Sequence, residues 1–127
     1  MQAAVRAGVT GVSWSVVRGA NLEFLSLSDP DLSDLEQVQT EFGAGPCVTA
    51  QSTGAAVVLT SALDRGEEWP AWASTARRLG VESAAALPYV SGGAVVGVLG
   101  LYQQGPAPIR FLTVYPMLRT LATASQL

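Results

Sequence analysis

The stretch Leu35-Glu-Gln-Val-Gln-Thr-Glu-Phe-Gly-Ala-Gly-Pro-Cys-Val-Thr-Ala50 leaves the backbone few choices. Leu32, Leu35, Val38 and Phe42 fall on one side of a helical wheel, which predicts an amphipathic helix. Gln39 falls inside that apolar stripe, whereas Gln37 faces away. Ser33 and Glu36 form an S-x-x-E capping box, with Asp31 and Asp34 as a competing start. Gly43 is placed to end the helix in a left-handed conformation. Pro46 suits the first position of a second helix, because its φ is already fixed there and its missing N–H is no loss. Helix, stop and helix must therefore follow one another closely. The break brings an inward amide (Gln39), two glycines and Cys47 together beside an apolar wall, the makings of a pocket rim.

Around this break the chain reads as strands and helices in alternation. Val12, Trp14 and Val16 alternate with serines, a half-buried strand. A turn at 18–21 leads to a second strand over 22–28, and the pair reads as a hairpin. Trp14 and Phe24 are its inward aromatic candidates. Ala55 to Thr60 is a third strand. Trp69, Trp72, Ala73, Ala76 and Leu79 mark a helical face, with Glu67 and Glu68 at its start and Arg77 and Arg78 at its end, matching the helix dipole. Val81 to Val90 is a fourth strand, in which Pro88 predicts an edge, a bulge or an N–H position off the ladder. A Ser91-Gly92-Gly93 turn leads to a fifth strand, Ala94 to Tyr102, apolar enough to be buried on both faces near the sheet centre. Phe111 to Ala122 carry a last helical stripe, which Pro116 kinks or restarts. This order describes an α+β domain with a mostly antiparallel sheet covered by helices.

Several segments resemble one family. Val38 to Ala50 is similar to the "LQ…GxGPC…A" segment of GAF domains, especially those of bacterial, actinobacterial-type regulators that join a GAF domain to an RNA-binding ANTAR domain. Glu68-Trp-Pro-Ala-Trp-Ala73 resembles the family's "WP.fa" helix start, Leu79 to Pro88 its "lGv.S.l.lPl" strand, and Gly93 to Tyr102 its "g..iGaLnly" strand. The matches keep order and spacing over about residues 8 to 102. The resemblance implies a PAS-related central antiparallel sheet of five to six strands with helices on both faces, one domain over 1–127 with terminal helices at 1–7 and 109–126, and a sensory rather than catalytic role. Gly100 departs from the family's usual asparagine, which removes a polar handle and adds room. The final helix departs from the family pattern, and no ANTAR-like segment follows it.

Composition narrows the function. The chain of 127 residues has 49% hydrophobic and 13% charged residues, suited to one domain with a substantial core. A net charge of −3 argues against a nucleic-acid surface. Apolar runs are interrupted too often for a membrane span, and the start lacks a signal-peptide pattern. A single cysteine permits no intrachain disulfide and fits a cytoplasmic location. The absence of histidine removes a histidine-ligated haem and a Ser/His/Asp set. No cofactor and no metal site are expected. Asp29, Asp31 and Asp34 are explained by turn and cap roles.

The expected pocket is apolar with few polar groups, lined by Trp14, Phe24, Gln39, Phe42, Cys47, Trp69, Trp72 and Tyr102. Gln39 is the most informative member, since an amide on an apolar face needs partners. Cys47 at a helix start is a redox-sensitive candidate, because N-terminal N–H groups favour thiolate; the alternative is a small buried residue. A multi-cysteine sulfoxide-reductase cycle, as in one GAF subfamily, is rejected for want of a second cysteine. Two functions follow. The first is a non-catalytic sensory domain binding a small, largely apolar molecule, probed by a search for a cavity. The second is a ligand-free module that homodimerises or docks through its terminal helices.

Overall fold

The alternation of Val12, Trp14 and Val16 becomes β1 (Gly11–Arg18), and the following turn returns the chain as β2 (Asn21–Leu27). The structure is a computed structural model and describes residues 10–61 and 65–105. A 3-10 turn, Pro30–Leu32, leads without interruption into α1 (Ser33–Phe42). The Asp29 carboxylate accepts the Asp31 N–H at 3.0 Å and so starts this segment. Ser33 therefore lies inside the helix rather than at its cap, and neither the Ser33–Glu36 box nor an Asp31 start is used. Gly43 ends α1 at φ 61°, as its position in the sequence requires. Pro46 opens α2 (Pro46–Thr53), and Gly54 closes it. β3 (Val57–Leu59), α3 (Pro70–Arg78), β4 (Val81–Ser91) and β5 (Ala94–Gln104) follow.

The five strands form one antiparallel sheet in the order β2-β1-β5-β4-β3. β5 is central. Its alternate residues, Val98 and Tyr102 on one side and Leu99 and Leu101 on the other, are all buried, as the apolar run predicts. β4 is interior only where β3 reaches it, at Ala84 to Ala86. Pro88 lies beyond β3, and the pairing with β5 shifts register immediately after it, between Tyr89 and Val90. A proline lacking its N–H is tolerated in such a place.

Helices α1, α2 and α3 pack on one face of the sheet. Their core joins Leu32, Leu35 and Val38 to Cys47, Ala50, Trp72 and Ala76, and to Ala84, Ala86, Val98 and Tyr102 of the strands. Small alanines on β4 let the helices approach the sheet closely. On β1 it is Ser13 and Ser15, not Trp14, that face this core: both serines are buried and pair across to Gly100 and Val98. Ser15 Oγ donates to the Val98 carbonyl at 3.1 Å, which satisfies a hydroxyl in a site too shallow for a larger side chain. Val12, Trp14, Leu99 and Leu101 occupy the opposite face. The helices expected at 1–7 and 109–126 lie outside the described residues.

Candidate ligand-binding cleft

The junction of α1 and α2 is tied together by one side chain. Gln39 is wholly enclosed. Its Oε1 accepts the Cys47 N–H at 2.8 Å, and its Nε2 donates to the Leu35 carbonyl at 3.1 Å. The amide thus caps the first free N–H of α2, because Pro46 supplies none, and anchors α2 to the body of α1. Gly45 makes this possible. Its φ of 151° is open to glycine, and a Cβ there would strike the Gln39 side chain. The G-x-G-P-C run is therefore a device for bringing a buried glutamine against a helix start.

Beside this clamp, α1 and α2 stand away from β2 and leave an open cleft. Its volume is about 490 Å³, within the range of roughly 300–1,000 Å³ typical of small-molecule sites. Leu22 and Phe24 of β2 form one wall; Gln39, Thr40 and Gly43 of α1 and Val48 and Gln51 of α2 form the other. Ala20 and Asn21 of the β1–β2 turn border the mouth, where Gln51 Nε2 donates to the Ala20 carbonyl at 3.1 Å. Among the described residues no charged side chain lines the cleft.

Of the residues expected from sequence, Phe24 and Gln39 line this cleft. Cys47, Trp72 and Tyr102 lie in the closed core. Cys47 is fully enclosed, with Sγ 3.9 Å from the Tyr102 hydroxyl. Burial pushes its thiol up to about 12, the opposite of the shift that a redox-sensitive thiolate needs. Desolvation outweighs the helix terminus, whose first available N–H is already bonded to Gln39. Burial likewise raises the Tyr102 hydroxyl well above its ordinary value. Trp69 and Trp72 meet edge to face, with centroids 6.2 Å apart, and the Arg65 guanidinium stands 4.4 Å over Trp69. They pack α3 and do not line the cleft. Trp14 is on the far face of the sheet, across Gly97. Phe42, the last residue of α1, is 61% exposed and does not line the cleft.

Gly100 provides no added room. A Cβ at that position would strike Ser13 Oγ and come within 3.0 Å of the Tyr102 hydroxyl and 3.2 Å of Cys47 Sγ. The space is already filled, with Tyr102 lying along the strand where a larger residue 100 would stand.

Sequence reasoning missed Glu36. It was expected in a capping box, but it is only 8% exposed, and its Oε2 has no hydrogen-bond partner. Desolvation raises its carboxyl to about 7. Its spacing gave a signal: Glu36 precedes Gln39 by three residues and Thr40 by four, so it shares the inward side of α1. Asn21, Leu22, Thr40, Val48 and Gln51 were also unforeseen as cleft residues. They come together only through the docking of β2 beside α1. Among the described residues no cluster of three or more potential metal ligands occurs, and no helix is long and apolar enough to cross a membrane.

Comparison with known proteins agrees with this architecture. The model of the GAF domain matches residues 4–123. No curated protein matches the chain in sequence. Among solved structures, a domain described as part of a two-component sensor histidine kinase from Sinorhizobium meliloti superposes with a TM-score of 0.71 at 13% identity, covering 98% of this chain and 82% of that one. The GAF domain region of a membrane protein from Geobacter sulfurreducens gives 0.69 at 16% identity, with 96% and 84% covered. A type II free methionine-R-sulfoxide reductase from Thermoplasma acidophilum gives 0.66 at 14% identity, with 91% and 74% covered. At these identities the likeness is one of fold.

Proposed function

This chain belongs to the GAF domain family, and from that premise we propose that it is a non-catalytic sensory domain whose small-molecule ligand occupies the cleft between β2 and the α1–α2 junction. The observation that carries this reading is the position of the cleft. Its walls are set by α1 and α2, the two helices that the buried Gln39 amide ties together, so a ligand seated between them and β2 would act on the α1–α2 junction. Among the described residues the cleft walls carry no cysteine and no carboxylate to activate the Thr40 hydroxyl, and Cys47 is enclosed with its thiol pushed up by burial. Motifs similar to those of GAF domains in GAF-ANTAR regulators support a role as the input of a larger cytoplasmic regulator. Pairing of two copies through the chain ends belongs to the same proposal.

Native mass spectrometry of the purified protein, beside a Val48→Trp variant that fills the cleft, tests the reading. The expected result is a non-covalent adduct on the wild type that is absent from the variant. An adduct retained equally by both would place the ligand elsewhere. The same spectra give the oligomeric state.

A further inference from the structure

We propose that the cleft selects an uncharged ligand that donates a hydrogen bond, such as a primary amide carried on a flat apolar body. This inference rests on the sensory reading above and names the chemistry of the same cleft. It stands on which hydrogen-bonding atoms of the walls are already engaged by the fold.

Three polar side chains stand on the helix wall of the cleft: Gln39, Thr40 and Gln51. Gln39 is engaged at both ends, its Oε1 accepting the Cys47 N–H and its Nε2 donating to the Leu35 carbonyl. The Thr40 hydroxyl donates its one proton to the Glu36 carbonyl at 3.3 Å, which leaves its lone pairs open. Gln51 Nε2 donates to the Ala20 carbonyl at 3.1 Å, which orients the amide and leaves Oε1 without a donor among the described residues. At each of the three, therefore, a donor is bonded to the fold, and at Thr40 and Gln51 an acceptor is left over. A ligand that pairs with these oxygens must bring the proton. The absence of charge follows from the same walls. Among the described residues no charged side chain lines the cleft, and the charged pair flanking the turn at its mouth, Arg18 and Glu23, is joined at 2.9 Å. An ion entering here would lose hydration and gain no counter-charge. Leu22, Phe24 and Val48 supply the apolar surface for a flat body.

Benzamide, acetophenone, benzoate and benzamidine have one ring and nearly one shape, so they isolate this claim. Benzamide is a neutral donor, acetophenone carries a methyl in place of the donor, benzoate is an anion and benzamidine a cation. Their dissociation constants would be measured by NMR titration at about pH 7, where both ions are fully charged. Benzamide is expected to bind about tenfold more tightly than acetophenone, the effect of one hydrogen bond, with both ions weaker than acetophenone. This ranking is read on the wild-type protein and needs no variant. Replacing both acceptors, Thr40→Val with Gln51→Leu, should bring benzamide to within about threefold of acetophenone. Val48→Trp should abolish binding of all four. Acetophenone binding as tightly as benzamide would overturn the donor, and either ion binding as tightly would overturn the uncharged ligand; both results would leave the ligand-binding cleft standing. A preference for benzamide that persists undiminished in the double variant would also overturn the inference. Binding that survives Val48→Trp, or failure of all four probes to bind, would remove the inference together with the cleft reading beneath it.

Discussion

Two polar residues one turn apart on α1, Gln39 and Glu36, are both buried, and they have opposite standing. Gln39 is bonded at both ends of its amide, and the fold is built around those bonds. Glu36 has an enclosed oxygen with no partner and a carboxyl raised by desolvation. A satisfied buried amide contributes specificity: it fixes how two helices meet. An unsatisfied buried acid reduces stability whenever it is charged. The first is architecture, and the second is a cost carried next to the closed core, where the Glu36 charge acts on Cys47 and Tyr102.

The contrast gives a ranked set of expected outcomes. Gly45→Ala attacks the clamp most severely, because it imposes both a disfavoured φ and a collision with Gln39. A loss of about 2–5 kcal/mol is expected in urea unfolding. Gln39→Ala removes the amide, orphans the Cys47 N–H and leaves a void, for a loss of about 2–4 kcal/mol in the same experiment.

Glu36→Gln goes the other way. A carboxyl whose folded pKa lies above its unfolded value favours the folded state while protonated, and that advantage is lost as pH rises from about 4.5 to about 7. The neutral amide should therefore be about 1–3 kcal/mol more stable than wild type above pH 7 and no different near pH 4. A variant equally stabilising at both pH values would show that shape, not charge, is at issue. The smallest effect belongs to the surface. Arg78 meets Asp34 of α1 at 2.7 Å with both side chains largely exposed, and Arg78→Ala should cost under about 0.5 kcal/mol.

Most of the fold was legible because it is written in local chemistry. The β4–β5 hairpin and the break between α1 and α2 were foreseeable from Gly92-Gly93, Gly43 and Pro46. The central position of β5 followed from an uninterrupted apolar run. The inverted face of β1 was not legible. Alternation shows that a strand has two faces, but not which one meets the helices, and the close approach of α1 and α2 selected the serines. Glu36 was hidden by a competing local reading, since S-x-x-E has the same spacing whether or not Ser33 is the cap. The cleft itself is a tertiary feature. Gln39 could be picked out because an amide in an apolar stripe requires partners, whereas Leu22, Val48 and Gln51 carry no such sign in isolation. Phe42, read as wall, is exposed because helical periodicity continues to the last turn whether or not anything stands opposite it.

The central claim is that ligands enter between β2 and the α1–α2 junction. The most direct measurement is a two-dimensional ¹H–¹⁵N NMR map of the protein with benzyl alcohol, a small neutral aromatic probe suited to uncharged walls, recording the Gln39 side-chain amide and the backbone of the cleft walls. The account predicts shift changes concentrated at Phe24, Gln39, Thr40, Gly43 and Val48, with the Gln39 amide among the largest. Changes confined to the opposite face of the sheet, around Trp14 and Leu99, or no changes at all, would contradict it.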